Sequence, residues 1–218
     1  MRVDLRLYAI VDPETSGGHD LADLARRLAA GGATLVQLRD KLSETRAMVV
    51  RARAIKAALG AVPLLINDRV DVALAAGCDG VHVGQEDMAA EDARRLLGPG
   101  AIIGLSIKTA AQAAAAPLDL IDYAGIGGVH GTTSKQNTSK PIGPDGLKRI
   151  IDALHSRSPG FPTCGIAGIN ASNAAEVIAA GADGISVISA LSLAPDPQAA
   201  ARGLRNIVDG ALVKRSHA

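Results

Sequence analysis

Tryptophan is absent from the 218 residues, and the aromatic side chains come down to Tyr8, Tyr123 and Phe161. A flat heterocyclic ligand would have to be held by hydrogen bonds and aliphatic walls, with almost no aromatic surface to stack on. Cysteine is scarce as well. Cys78 and Cys164 lie far apart in apolar surroundings and match no metal-ligand spacing, which predicts two reduced core thiols and a cytoplasmic setting. A charge excess of one sign is missing too: 23 Lys and Arg face 22 Asp and Glu, for a net charge of +1. That balance favours small-molecule partners over nucleic acid or a membrane surface, and it leaves a homo-oligomer open. No stretch approaches the ~18 uninterrupted apolar residues of a membrane span. The opening Met1-Arg-Val-Asp-Leu-Arg carries an acid and no apolar run of signal-peptide length.

What the chain does have is 48% hydrophobic residues, 24 Gly and 10 Pro, the mixture of a globular protein with many short turns. Short β-branched runs alternate with Ala- and Leu-rich stretches from end to end. Strands are expected at 7–12, 34–40, 63–68, 80–85, 101–107, 123–129, 162–169 and 184–191, and helices near 20–31, 43–59, 69–76, 89–97, 109–116, 143–155, 171–180 and 195–212. In the first helix Leu21, Leu24 and Leu28 fall on one face. Pro63-Leu-Leu-Ile is apolar on both faces, as a buried parallel strand requires. Eight strand–helix units in succession predict an α/β fold, a closed (βα)8 TIM barrel formed as a single domain over residues 1–218.

An internal echo supports this. Ala73-Leu-Ala-Ala-Gly-Cys-Asp-Gly-Val-His-Val-Gly84 resembles Val177-Ile-Ala-Ala-Gly-Ala-Asp-Gly-Ile-Ser-Val-Ile188, with a weaker copy from Leu28 to Val36. Each copy reads as a helix stopped by a left-handed glycine (Gly77, Gly181, and Gly31 or Gly32) before a new strand. The longest segment without pattern is 128–140, rich in Gly, Ser and Thr with two lysines, and it is expected to be an active-site lid.

Polar residues gather where the strands end, the face on which barrel enzymes build their sites. Gln37, Arg39 and Lys41 alternate, and Arg39 with Lys41 makes an anion site at the second strand end. Asn67-Asp68 and Gly84-Gln-Glu-Asp87 close the next two strands. Asp68 and Asp87 are each a candidate helix cap, or together a pair that holds a hard cation against a polyphosphate. Ser106 supplies a hydroxyl on the fifth strand, and Gly168 and Ser189 close the last two, where a monophosphate is expected. His82 lies mid-strand and is expected to be a satisfied core residue; His130 sits in the lid within reach of substrate.

These residues carry a resemblance. Gln37-x-Arg39-x-Lys41, Asn67-Asp68, Gly84-Gln-Glu-Asp87, Thr132-x-Ser134-Lys135, Gly165–Ile169 and Val187-Ile-Ser-Ala190 resemble the ordered motif series of the thiamine phosphate synthase family. The resemblance implies a transferase that condenses 4-amino-2-methyl-5-hydroxymethylpyrimidine pyrophosphate with a thiazole phosphate, releasing pyrophosphate. It implies that Gln37, Leu38, Arg39, Asp40, Lys41, Asn67, Ser106 and Lys135 contact the pyrimidine pyrophosphate. Asp68 and Asp87 would bind Mg2+, and Thr132, Thr133, Ser134, Gly168, Ile188 and Ser189 would hold the thiazole phosphate. Arg39, Lys41 and Lys135 would stabilise the leaving pyrophosphate in a dissociative substitution that needs no general base.

The chain departs from the family pattern at Gly128-Val-His-Gly131, where Pro-x-Tyr-Pro is common, and at Ser134, a frequent Thr. Lys108 stands where His is common, and Ala167 interrupts a Gly-Gly pair. Two other readings share the architecture. A thiazole tautomerase would use the phosphate site without the Asp68–Asp87 pair, and a non-catalytic barrel would only bind thiamine phosphates.

Overall fold

In the computed structural model, which describes residues 3–132 and 140–217, the eight expected strands all form. They are β1 (Leu7–Val11), β2 (Leu35–Leu38), β3 (Leu64–Asn67), β4 (Gly80–Val83), β5 (Ile102–Ile107), β6 (Tyr123–Gly127), β7 (Thr163–Ile166) and β8 (Gly184–Val187). Neighbours pair in parallel in chain order and β8 pairs with β1, closing the barrel. The helices are α1 (Leu21–Ala30), α2 (Thr45–Leu59), α3 (Val70–Ala76), α4 (Ala90–Leu97), α5 (Ala110–Ala115), α6 (Gly143–Arg157), α7 (Ala174–Ala179), α8 (Ser189–Ser192) and α9 (Pro197–Ser216). None of the described helices is long and apolar enough to cross a membrane.

Most strands stop short of their expected ends, because the residues there leave the ladder and turn over the barrel mouth. The eighth shows it best. Ile188 has the β-branched look of a strand residue, yet its backbone turns to φ −112°, ψ −85°, and Ser189–Ser192 forms a helical turn. The expected strand at 184–191 therefore ends at Val187.

The sequence echo acquires a physical meaning at the other end of the barrel. Asp79 and Asp183 precede β4 and β8, and each carboxylate accepts the amide that opens the strand before it: Leu64 N at 2.8 Å and Thr163 N at 3.0 Å. In return the amides of Asp79 and Asp183 donate to the carbonyls of Leu64 and Thr163, both at 2.9 Å. Asp122 repeats the pattern before β6 with Ile103 N at 2.7 Å, and Thr34 does so before β2, its hydroxyl accepting Leu7 N at 3.2 Å. Every even-numbered strand is thus clipped to its predecessor by a side chain that satisfies an otherwise orphaned amide. The cations Lys56, Arg94 and Arg215 balance the three aspartates. The Gly after each echoed aspartate is steric: a Cβ on Gly80 or Gly184 would lie 1.8 Å from Ile102 O or 1.7 Å from Leu5 O. Gly77 and Gly181 take the positive φ expected of a helix stop; in the weaker copy Gly32 does so (φ +107°) and Gly31 does not.

Two cores result. A large one joins the outward strand faces to the helices, with Leu24, Leu28, Ile55, Leu64, Ile103 and Leu154 fully buried. A small one plugs the barrel interior with Leu5, Tyr8, Leu35, Leu65, Tyr123 and Cys164. Burial pushes the Cys164 thiol well above its ordinary range. Cys78, expected as a core thiol, is free but only half-buried, and burial pushes it up to about 11. Two residues further along β2 and β3 the inward positions turn polar, Gln37 after Leu35 and Asn67 after Leu65. That switch marks the floor of the site.

Candidate active site

Two cavities open at the C-terminal ends of the strands and share a wall. The larger, about 1010 Å³, lies over β2–β5 and is lined by Arg39, Lys41, Asn67, Asp68, His82 and Asp87 among others. The smaller, about 600 Å³, lies over β6–β8, with Thr132, Gly168, Ser186, Ile188 and aliphatic walls from Ile107, Ile166 and Val187. Ser106, Lys108 and Ser189 line both. Two ligands occupying them would meet across those three residues.

The larger cavity is a lattice of opposite charges. Arg39 Nη1 donates to Asp12 Oδ2, and Lys41 Nζ donates to Asp68 Oδ2. Asn67 Nδ2 also donates to Asp68 Oδ2, at 2.7 Å, while Asp87 Oδ2 accepts the amide of Gly84 at 2.8 Å. Neither aspartate caps a helix: the caps of α3 and α4 are Arg69 and Ala89, without side-chain bonds. Burial raises the Asp68 carboxyl above its ordinary value and the nearby Asp87 carboxylate adds to the effect, against the pull of Lys41. Asp68 also sits at φ +60°, in the left-handed region that Asp tolerates better than most side chains. Among the described lining residues three cations, Arg39, Lys41 and Lys108, face four acids, Glu14, Asp68, Glu86 and Asp87. Such a wall does not by itself neutralise a polyphosphate. With a divalent cation between Asp68 and Asp87 it can, since Mg2+ takes one or two carboxylates plus phosphate oxygens. No group of three or more His, Cys, Asp or Glu among the described residues is placed to hold a metal by protein ligands alone.

The profile of the thiamine monophosphate synthase family matches residues 7–191. The chain belongs to that family. The thiamine-phosphate synthase of Agrobacterium fabrum is 48% identical over 216 residues, covering 98% of each chain. That of Moorella thermoacetica is 46% identical over 204 residues, covering 93% of this chain and 95% of its own. A solved thiamine phosphate pyrophosphorylase from Pyrococcus furiosus has the same fold with a TM-score of 0.84, at 37% identity over 97% of this chain and 98% of its own.

The structure sorts the residues that the thiamine monophosphate synthase resemblance singled out. Arg39, Lys41, Asn67, Asp68, Asp87 and Ser106 do converge on the larger cavity, and Thr132, Gly168, Ile188 and Ser189 on the smaller. Thr133, Ser134, Lys135 and most of the expected lid at 128–140 lie outside the described residues. The base of that segment runs beside the β7 end, with Val129 N donating to Ile166 O at 2.9 Å and His130 N to Ala167 O at 3.1 Å.

Three side chains are not where a direct contact would need them. Leu38 is buried in the outer core. Asp40 turns away from the site: it pairs with Arg51 and accepts the Ser43 amide at 3.0 Å. Gln37, 2% exposed, donates to Tyr8 Oη and lines neither cavity. It reaches the site only through a buried chain. Tyr123 Oη donates to Tyr8 Oη at 2.9 Å, His82 Nδ1 lies 2.8 Å from Tyr123 Oη, and His82 Nε2 lies 2.8 Å from Ser106 Oγ. His82 is the satisfied histidine that its mid-strand place suggested, yet it also floors the larger cavity. Both ring nitrogens of His82 are thus engaged by hydroxyls, one from the barrel interior and one from the cavity wall. His130 lines neither cavity; its Nε2 lies 3.2 Å from Glu176 Oε1.

Gly168 and Ala167 carry the β7 end. Gly168 has φ +64°, and a Cβ there would meet Gly131 O at 2.3 Å and His130 Cβ at 2.7 Å. Its missing side chain thus makes room for the base of the 128–140 segment, while Gly168 still lines the smaller cavity. Ala167 has φ +83°, a position that suits the glycine common in the family. Reading the strand ends missed two contributors. Asp12, before Pro13, looks like a turn residue, and Lys108 looks only like a departure from a common His.

Proposed function

We propose that this chain catalyses the condensation of 4-amino-2-methyl-5-hydroxymethylpyrimidine pyrophosphate with 4-methyl-5-(2-phosphoethyl)thiazole, giving thiamine phosphate and pyrophosphate. The observation that carries the reading is the pair of cavities joined at Ser106, Lys108 and Ser189, one lined by charges of both signs and one by glycines, hydroxyls and aliphatic side chains. The larger would take the pyrimidine pyrophosphate, its diphosphate against Arg39 and Lys41 and its ring toward Ser106. The smaller would take the thiazole phosphate, its phosphate near Thr132, Gly168, Ile188 and Ser189.

Asp68 and Asp87 would hold Mg2+, which when bound neutralises charge on the pyrophosphate oxygens. The C–O bond between the pyrimidine methylene and the pyrophosphate breaks, and its electron pair leaves with the pyrophosphate. The pyrimidine ring delocalises the positive charge left on carbon, and the thiazole nitrogen forms the new C–N bond. Arg39 and Lys41, with Lys135, would stabilise the charge that grows on the leaving oxygen, the electrostatic mode of catalysis. Asn67 would hold the Asp68 carboxylate in place. Thr133 and Ser134 would join the phosphate site. A tautomerase acting on the thiazole phosphate alone would have no use for the charged cavity.

The free thiols Cys78 and Cys164 suit a reducing compartment, and we place the reaction in the cytoplasm. The test is incubation of the protein with both substrates and Mg2+, following thiamine phosphate by thiochrome fluorescence and pyrophosphate by release. Equal release of the two supports the reading. Pyrophosphate without thiamine phosphate, or neither, would overturn it.

A further inference from the structure

Asp12 is 1% exposed and lines neither cavity, yet it is tied to the larger one twice. One carboxylate oxygen, Oδ1, accepts the Glu14 amide at 2.9 Å and so fixes the 3-10 turn at Pro13–Thr15, from which Glu14 and Thr15 line that cavity. The other, Oδ2, accepts from Arg39 Nη1. The Arg39 side chain is 14% exposed, and its backbone amide is also pinned, donating to Val11 O at 2.9 Å. A guanidinium carries five N–H donors in one plane. One Nη engaged by a buried carboxylate, on a side chain only 14% exposed, restricts the orientation of the guanidinium before any ligand arrives, while Arg39 still lines the cavity with donors that no other described residue takes up.

We propose that Asp12 is a positioning residue for the leaving pyrophosphate, acting through Arg39; this rests on the larger cavity being the pyrophosphate site. The geometry has two opposing effects. A fixed guanidinium stabilises charge developing on the leaving oxygen without reorganising as the bond breaks. The Asp12 charge beside it weakens the attraction of Arg39 for an anion already bound in the ground state. Asp12 therefore costs ground-state affinity and contributes to the rate. A merely structural residue would not separate those quantities.

Asp12→Asn removes the charge and keeps an oxygen for the Glu14 amide. The expected result is kcat lowered tenfold or more, with the calorimetric Kd for inorganic pyrophosphate and Mg2+ unchanged or tighter. Asp12→Ser, a smaller acceptor for the same amide, should behave alike and serves if the Asn variant folds poorly. In an Arg39→Lys background the ammonium has no fork to be held, so Asp12→Asn should change kcat less than twofold. An unchanged kcat in both Asp12 variants, or a kcat loss matched by an equal loss of pyrophosphate affinity, overturns the proposal. Arg39→Ala separates the layers. If it leaves pyrophosphate affinity and kcat intact, the pyrophosphate reading of the cavity fails and takes this proposal with it. If it impairs both while Asp12→Asn impairs neither, only the positioning role fails.

Discussion

Lys41 Nζ donates to Asp68 Oδ2, so a carboxylate proposed to hold the metal is itself held by an ammonium from the neighbouring strand end. The Lys41 side chain is 46% exposed and Asp68 only 16%, which leaves the ammonium free to move and the carboxylate fixed. A divalent cation arriving alone must compete with Lys41; one arriving with pyrophosphate gives Lys41 a new anion. Lys41→Met is accordingly expected to bind Mn2+ alone about tenfold more tightly, ~1.4 kcal/mol, while turning over more slowly. Electron paramagnetic resonance titration without pyrophosphate checks this. Weaker or unchanged Mn2+ binding in the variant would mean that Lys41 does not guard the site.

Asp68→Asn and Asp87→Asn should each lower kcat/KM by on the order of 10²-fold, roughly 2.7 kcal/mol of transition-state stabilisation. Asparagine tolerates the left-handed backbone at residue 68 as aspartate does, so the loss should not come from unfolding. Steady-state kinetics beside thermal melts tests both statements. Activity that survives in both variants and in EDTA would remove the metal from the account.

Ala167 is held at φ +83°, where an L side chain is strained by about 1–2 kcal/mol. Ala167→Gly relieves that strain but returns roughly 0.4–1 kcal/mol of entropy to the unfolded chain. The balance predicts a stability gain on the order of 0.5–1 kcal/mol, read as a higher urea midpoint at constant slope. A lower midpoint would show that the methyl group of Ala167 contributes more by packing than its backbone costs.

The clips between strands should matter more. Asp183→Ala strips the Thr163 amide of its acceptor and Arg215 of its ion-pair partner, leaving Arg215 its bonds to the carbonyls of Ile178 and Ala182, and is expected to cost roughly 2–3 kcal/mol. Asp183→Asn keeps an acceptor and should cost about half as much. Urea unfolding of the two variants checks the order. Equal costs would assign the effect to charge alone.

The eight strands were legible because short β-branched runs alternate with Ala- and Leu-rich helical stretches along the whole chain. The site was legible where a charged residue at a strand end could only point outward over the mouth, as with Arg39, Lys41, Asp68 and Asp87. Alternation could not say how deep each residue lies. Gln37 shares a face with Arg39 but sits one layer lower, sealed against Tyr8, so the same pattern yields a cavity residue and a buried one. The Asp40 side chain turns from the cavity because Arg51, on the helix that follows, pairs with it, a contact that strand alternation does not show. The helical turn at Ser189–Ser192 was hidden because no Gly, Pro, Asn or Asp breaks the sequence between Val187 and Leu191. Asp12 pairs with Arg39, 27 residues on, a contact that the parallel pairing of β1 with β2 creates and local sequence does not show.

The central claim is that two substrates bind in two separate cavities that meet at one wall. Calorimetric Kd values for each substrate alone, on Arg39→Ala and Gly168→Ala, test it most directly. Arg39 lines only the larger cavity, and a Cβ on Gly168 would push on Gly131 at the edge of the smaller. Arg39→Ala should weaken the pyrimidine pyrophosphate at least tenfold, ~1.4 kcal/mol, and leave the thiazole phosphate within twofold. Gly168→Ala should do the reverse. The same losses for both substrates in each variant, or the opposite pairing, would contradict the account.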